Sequence, residues 1–296
     1  MTLLVEVPPH HNLRQTLGPL RPPGDRSARF QIDGTVWRAT RTPDGPATGR
    51  YRPAGQGRVA VDAWGPGADW LLAHAAELVG AHDDVTGFAE LAAGHPVVAA
   101  LHRDHPGYRL PRSLAIYEAL LPVVIAQKVT GAEARASWTS FQYRFGEAAP
   151  GPMRLRLPPA PAVVAELGYE RFHPLGLERK RAETLRAVAR EADRLDPGRP
   201  DVLDRLRSIP GVGPWTVAHV AHAALGDADA VAVGDYHLPD QVCFALAGEQ
   251  RGNDERMLEL LAPFAPHRGR VVRLLHRAQA PQRKGPRLAG IDNRRR

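Results

Sequence analysis

Cysteine is nearly absent from this sequence of 296 residues, which contains only Cys243. A single thiol cannot form a disulfide within the chain. It also cannot supply the thiolates of a four-cysteine iron–sulfur cluster or zinc site. We therefore expect no iron–sulfur cofactor, and the scarcity of cysteine is typical of a reducing compartment.

The sequence also lacks a long apolar run. No stretch approaches the roughly 18 consecutive apolar residues that predict a membrane-spanning helix, and the first residues, MTLLVEVPPHHNL, do not resemble a signal peptide. We therefore expect a soluble protein of the cytoplasm with no membrane partner. Hydrophobic residues make up 43% of the chain and charged residues 24%, which is typical of a globular protein with a large core.

Acidic residues are scarce near the C-terminal end, so the net charge of +7 is unevenly placed. Residues 266–296 contain nine arginines and one lysine against one acid, Asp292, and carry a formal charge of +9. The preceding 265 residues together carry −2. We expect residues 282–296 to form a basic tail, which is either disordered or bound non-specifically to nucleic acid.

The most informative run covers residues 203–236 and is centred on the sequence Ile-Pro-Gly-Val-Gly at 209–213. Apolar residues recur at helical spacing before this centre, and a second apolar segment follows at residues 215–225. Two helices joined by a Pro-Gly-x-Gly turn form a helix-hairpin-helix. Glycine permits a positive φ, and free amides at the start of the second helix predict a phosphate-binding site.

An acidic residue follows this hairpin. Asp235 lies 20 residues beyond Trp215, after the apolar run at 230–233. This order of hairpin, loop and aspartate resembles the helix-hairpin-helix DNA glycosylases, in particular their 3-methyladenine DNA glycosylase II branch. The resemblance implies that Asp235 is the catalytic carboxylate. On the residues alone, Asp235 could instead cap the next helix, and the two roles are compatible.

The same resemblance implies a mainly α fold, in which the helical domains of a helix-hairpin-helix glycosylase follow a small α/β N-terminal domain. Residues 1–84 contain alternating apolar runs that are typical of strands, with a turn at Asp33-Gly34. Residues 85–281 are almost entirely helical in pattern. We expect them to form two helical subdomains with the active-site cleft between them.

A second match to the family lies at residues 113–130, a segment that ends in Gln127-Lys128-Val129-Thr130. In the family, this helix ends in Gln-Gln-Val-Ser and fills the gap left by the extruded base. Gln127 matches the first glutamine, whereas Lys128 replaces the wedge residue. A lysine stacks poorly but contacts phosphate as a point charge. A solvated helix end is the alternative, and Pro122 either kinks this helix or begins a new one.

Further site residues are implied by the resemblance only. The implied DNA contacts are Gln127, Lys128, Gly211, Val212, Gly213, Trp215 and Thr216. The implied base pocket contains Trp215, His219 and Tyr236, with Trp138 as a further candidate that is also typical of a core. A monovalent cation, Na⁺ or K⁺, is implied at the hairpin, with the main-chain carbonyls of Arg207, Ile209 and Val212 as ligands.

The family hydrolyses N-glycosidic bonds of damaged bases in double-stranded DNA. Members that also cut the strand have a lysine nucleophile where this chain has Trp215, and a Schiff base needs an amine. We therefore expect a monofunctional glycosylase, without lyase activity, that acts as a monomer at the nucleoid on alkylated purines such as 3-methyladenine and 7-methylguanine. The alternatives are a glycosylase for oxidised or deaminated bases and a non-catalytic DNA-binding protein.

Overall fold

The computed structural model describes residues 2–55 and 57–277, so the predicted basic tail lies outside the described residues. One antiparallel sheet lies near the N-terminus, in the order β1-β5-β4-β3-β2. Its strands are β1 (Thr2–Glu6), β2 (Ala28–Phe30), β3 (Val36–Thr42), β4 (Gly45–Pro53) and β5 (Arg58–Trp64). The helices are α1 (Leu13–Leu17), α2 (Ala68–Ala73), α3 (Ala75–Leu78), α4 (Phe88–Ala93), α5 (Pro96–Asp104), α6 (Ile116–Ile125), α7 (Gly131–Phe145), α8 (Pro161–Glu166), α9 (Tyr169–Phe172), α10 (Arg179–Glu191), α11 (Val202–Ser208), α12 (Pro214–Val220), α13 (Leu238–Ala247), α14 (Asp254–Leu261) and α15 (Arg268–Leu275).

The mainly α fold with a small N-terminal sheet confirms the predicted fold class. The turn predicted at Asp33-Gly34 is also present. Gly34 has a φ of 83°, and the Asp33 carboxylate accepts hydrogen bonds from the amide and hydroxyl of Thr35. Pro122 lies inside the single helix α6, so it does not begin a new one. Among the helices of the described residues, none is long and apolar enough to cross a bilayer.

Two helical cores follow the sheet. The first is built from α6 to α12 and the second from α4, α5 and α13 to α15, so the chain leaves the second core and later returns to it. Helix α12 contributes to both. Val217 and Val220 are buried in the first core, while Trp215 and Ala218 pack against the second. The two cores therefore meet along α12, whereas the domain boundary at residues 84 and 85 stays a prediction.

A buried carboxylate joins the sheet to α6. Glu118, only 7% exposed, accepts hydrogen bonds from the Thr40 hydroxyl at 2.7 Å and the Arg41 amide at 2.7 Å, both on β3. Burial raises the pKa of Glu118, and this effect exceeds the lowering by Arg38 and by these hydrogen bonds. Because the carboxyl group is desolvated, its contacts fix the sheet against the first helical core.

A buried ion pair joins the linker at residues 81–87 to α15. The Arg270 guanidinium, with the residue 1% exposed, donates to both carboxylate oxygens of Asp83 at 2.8 and 2.6 Å. It also donates to the Asp84 carbonyl and lies over the Phe88 ring, 5.4 Å from its centroid. The Asp83 carboxylate also accepts from the Leu110 amide. This cluster fixes α15 against the start of the helical region.

Arg270→Met should lower the free energy of unfolding by about 3 to 5 kcal/mol, because it leaves the Asp83 carboxylate buried without its counter-charge. Adding Asp83→Asn should restore part of the loss, since the amide oxygen still accepts from Leu110. Denaturant unfolding of the two variants measures both effects. Arg256→Ala, which removes a more exposed pairing with Glu249 and Glu259, is the control and should change stability far less. A small loss in Arg270→Met would contradict this role.

Candidate active site

The hairpin turn between α11 and α12 depends on glycine. Gly211 has a φ of +88°, and a Cβ there would lie 2.0 Å from the Thr184 hydroxyl of α10. The Val212 amide donates to the Ile209 carbonyl at 3.0 Å and closes the turn. Within the described residues, the amides of Gly211 and Gly213 donate no hydrogen bond, and Gly213 is exposed at the N-terminus of α12. The open amides at the turn are therefore those of the two glycines, as an anion site requires.

Three predicted DNA contacts have other roles in the structure. The Gln127 side chain donates to the Gly211 carbonyl at 2.9 Å and to the Thr216 hydroxyl at 3.0 Å, so it supports the turn from the end of α6. Thr216 is 1% exposed and faces the interior. The Val212 amide is used within the turn. The predicted DNA contacts of Thr216 and of the Val212 amide are therefore corrected to support of the hairpin, whereas contact of the half-buried Gln127 with DNA stays a prediction.

Lys128 lies next to the hairpin and is exposed. Its φ is 55°, in the left-handed region that few residues other than glycine adopt. This conformation separates α6 from α7, whose first turn is closed by a capping box between Thr130 and Glu133. Strained backbone at a non-glycine residue often marks a functional site. Lys128 therefore remains a candidate for contact with DNA.

The carboxylate of Asp235 is held by three donors. Its Oδ2 accepts from Trp215 Nε1 at 2.8 Å, and its Oδ1 accepts from the amides of His237 and Leu238 at 2.8 and 2.9 Å. The two amides stand at the start of α13, whose N-cap residue is His237, so Asp235 bonds to the helix start without being its N-cap. Burial alone raises the pKa of Asp235, but the three hydrogen bonds and nearby His219 outweigh it and lower the pKa below its ordinary value. Asp235 is therefore an anion at neutral pH.

Asp235 faces a small pocket between α12 and α15. The pocket has a volume of about 30 Å³, which is room for about one or two water molecules. Within the described residues, no Phe, Tyr or Trp lines it. Its lining consists of Ala218, His219, His222, Ala230, Ala232, Asp235, Leu238, Gly269, Val272, Arg273 and His276.

The residues predicted to form the base pocket lie in three different parts of the structure. His219 lines the pocket, and Trp215 lies beside it with the two rings in edge contact at a centroid distance of 4.5 Å. Tyr236 follows Asp235 but is 59% exposed at the surface. Trp138 is 3% exposed and packs against Phe141 in the first core. Trp138 is thus corrected from a candidate pocket wall to a core residue, because α7 turns it towards the interior.

The predicted cation ligands are main-chain carbonyls of the hairpin. The Ile209 carbonyl accepts from the Val212 amide and keeps a second lone pair, so it can still be a ligand. An oxygen-only site leaves no mark on the side chains. The cation at Arg207, Ile209 and Val212 therefore stays a prediction.

The sequence alone gives no role to two residues near Asp235. Arg273 lines the pocket from α15, and Asp254 accepts a hydrogen bond at 3.0 Å from the Gly234 amide next to the carboxylate. Basic and apolar residues alternate over residues 268–277, a pattern that predicts an amphipathic helix. This periodicity does not show that Arg273, on the basic face of the helix, lines a pocket. Asp254 had no sequence signal beyond its place at a helix start.

No family model matches this chain. A presumed DNA-3-methyladenine glycosylase of Bacillus subtilis, YfjP, is 26% identical over 178 residues, which are 57% of this chain and 61% of that protein. The chain thus matches about three fifths of the length of this curated relative.

Two solved structures are similar over nearly the whole chain. The 3-methyladenine DNA glycosylase of Archaeoglobus fulgidus has a TM-score of 0.79 at 17% identity, covering 93% of this chain and 97% of that chain. The 8-oxoguanine glycosylase/lyase of Clostridium acetobutylicum has a TM-score of 0.70 at 12% identity, covering 93% and 95%. These likenesses confirm the predicted resemblance, and the chain has the fold of the helix-hairpin-helix DNA glycosylases.

Proposed function

We propose that this protein is a monofunctional DNA glycosylase, which hydrolyses the N-glycosidic bond of a damaged base flipped out of double-stranded DNA. The observation that carries the proposal is the position of Asp235. Its carboxylate is held as an anion at a pocket by Trp215, two residues after the exposed Gly213 amide of the hairpin. One short helix, α12, thus connects an anion-binding turn to an anion that faces a cavity.

The hairpin holds the DNA by its phosphate backbone. The amides of Gly211 and Gly213, together with the N-terminus of α12, bind a DNA phosphate without reading sequence. Lys128 adds a positive charge beside the turn. These contacts are electrostatic, so binding weakens as salt concentration rises.

Asp235 performs the chemical step. As the bond breaks, positive charge develops on the sugar, and a carboxylate about 4 Å away stabilises it by about 4 kcal/mol at an effective dielectric constant near 20. That energy corresponds to about a thousandfold in rate. The carboxylate also orients the water that attacks the sugar and accepts its proton. The pocket must widen for a purine to enter, because its volume of about 30 Å³ is far smaller than a purine.

Alkylated purines are the proposed substrates, since the Bacillus subtilis relative is a presumed DNA-3-methyladenine glycosylase. The site needs no metal or redox cofactor for this hydrolysis, and we propose that the protein acts as a monomer. A non-catalytic DNA-binding protein is a weaker interpretation. An anion held at a pocket beside the hairpin would only repel DNA phosphates unless it took part in chemistry.

Asp235→Asn should reduce release of 7-methylguanine from a methylated duplex by about a thousandfold, because the neutral amide cannot stabilise the sugar cation. DNA binding should stay nearly intact. Base release is measured under single-turnover conditions, and binding by fluorescence anisotropy. Asp204→Asn, which changes an exposed acid of α11, is the matched control and should release base like the parent. Equal rates in the two variants would remove Asp235 from the mechanism.

Trp215→Phe should slow base release by about ten- to a hundredfold, because a hydrogen bond to a charged group contributes about 1.5 to 3 kcal/mol. Loss of the indole N–H also raises the pKa of Asp235, so the acid limb of the rate should move to higher pH. Rates measured from about pH 3 to pH 8 test this shift, because the pKa of Asp235 in the parent lies below its ordinary value of 3.8. Trp64→Phe in the sheet should leave the profile unchanged, and an unmoved acid limb in Trp215→Phe would argue against the hydrogen bond.

Borohydride should trap no covalent adduct between this protein and substrate DNA, because Trp215 offers no amine for a Schiff base. The same reaction without borohydride should release base and leave an abasic site that breaks only after alkali. Gel electrophoresis resolves both products. An adduct formed during base release would show lyase chemistry by another residue.

A further inference from the structure

Arg273 brings a positive charge into the pocket of Asp235. It lies on α15 and lines the same cavity as the carboxylate. Within the described residues, its guanidinium makes no ion pair and no hydrogen bond, whereas Arg268 and Arg270 on the same helix are paired with Asp229 and Asp83. Burial lowers the pKa of Arg273, but a guanidinium stays charged at neutral pH. Arg273 is partly buried, and a partly desolvated, unpaired cation is costly unless a ligand satisfies it.

Two neutral imidazoles stand beside Arg273. Burial first, and then Arg273, lower the pKa of His219 to about 4 and the pKa of His222 well below its ordinary value. His222 is 4% exposed, and its Nδ1 lies 3.2 Å from the Asp227 carbonyl. A carbonyl only accepts, so Nδ1 carries the proton and Nε2 is an acceptor. The Nε2 atoms of both histidines are buried without a hydrogen-bond partner in the described part of the chain.

These groups give the pocket a polar character that differs from an aromatic cage. Cationic alkylpurines are favoured by stacking on electron-rich rings, but no Phe, Tyr or Trp among the described residues lines the cavity. A positive base would also be repelled by Arg273. An uncharged purine can accept from the guanidinium through a carbonyl oxygen or ring nitrogen and can donate to His222 Nε2. The free donors and acceptors of the pocket therefore match an uncharged base edge.

We propose that Arg273 is a second catalytic residue, which binds the departing base and enables the site to excise uncharged purine lesions. This inference rests on the proposed glycosylase function and deepens it by adding uncharged purine lesions to the alkylated purines proposed above. It assigns to a residue of α15 the stabilisation of the departing base, which Asp235 cannot provide because it is an anion.

The chemistry requires a cation at this place. When the C1′–N9 bond of an uncharged purine breaks, its electron pair goes to the base, which leaves as an anion, and the sugar becomes an oxocarbenium ion. Arg273 stabilises the anionic base by hydrogen bonds, and Asp235 stabilises the sugar. Water adds its oxygen to C1′, and its proton passes through Asp235 and solvent to the base. A cationic base leaves as a neutral molecule, so it needs no such help.

The test compares one uncharged lesion, hypoxanthine, with one cationic lesion, 7-methylguanine, in duplexes of the same sequence. The full-length parent, Arg273→Gln and Arg273→Lys are assayed for single-turnover release. Arg103→Gln, an exposed arginine of α5, is the control variant. Thermal unfolding shows whether each variant is folded at the assay temperature.

We expect Arg273→Gln to slow hypoxanthine release about a hundredfold, the size found when one preorganised donor to a developing anion is removed. Release of 7-methylguanine should change less than about threefold or increase. Arg273→Lys should recover part of the hypoxanthine rate, because it keeps the charge. Arg103→Gln should match the parent on both lesions.

Three results would overturn the inference: equal losses on both lesions in folded Arg273→Gln, an unchanged hypoxanthine rate, or a parent that releases only 7-methylguanine. The last result would leave the proposed function standing if release depended on Asp235. A parent that releases neither base, from these or other lesion duplexes, would instead remove the proposed function itself.

Discussion

The hydrogen bond from Trp215 Nε1 to Asp235 Oδ2, 2.8 Å long, connects the two halves of the site. Trp215 belongs to the first turn of α12, directly after the hairpin, whereas Asp235 belongs to the loop that enters the second helical core. Helix α12 packs against both cores, so this bond has a fixed frame on each side. Gln127 reinforces the frame by holding the Gly211 carbonyl from the end of α6. The packing of α12 against both cores thus fixes the position of the Asp235 carboxylate.

Much of the fold could be predicted from local sequence. Apolar spacing and the glycine turn indicate the hairpin, and Asp33-Gly34 indicates a turn between strands. The element ends were less predictable. The pattern of residues 68–79 is typical of one helix, but the segment is divided at His74 into α2 and α3. The second hairpin helix continues past Val220 as a π-helical segment. These details depend on packing and hydrogen bonds between distant segments, such as Glu118 with β3, for which a single sequence carries no periodic signal.

The candidate site was likewise only partly predictable from the sequence. Asp235 and His219 were predicted by resemblance, and the structure places both at one pocket. Thr216 and Trp138, two of the corrected residues, are of a polar and an aromatic type that suit a functional surface equally well. Only the direction of each side chain decides between surface and interior. The role of Arg273 could not be predicted either, because a basic residue in an amphipathic helix more often faces solvent than a cavity.

Electrostatics gives a reason for keeping an anion and a cation in one pocket without pairing them. If Asp235 and Arg273 formed an ion pair, each would satisfy the other, and neither would gain by meeting a charge that develops during reaction. Three N–H donors stabilise Asp235 instead, and the pocket histidines near Arg273 stay neutral because burial and that same cation lower their pKa values. Charges that are held apart in a small cavity interact strongly with a substrate whose bond polarises between them. In the proposed reaction, the separation thus favours the transition state, in which sugar and base carry opposite charges, over an uncharged ground state.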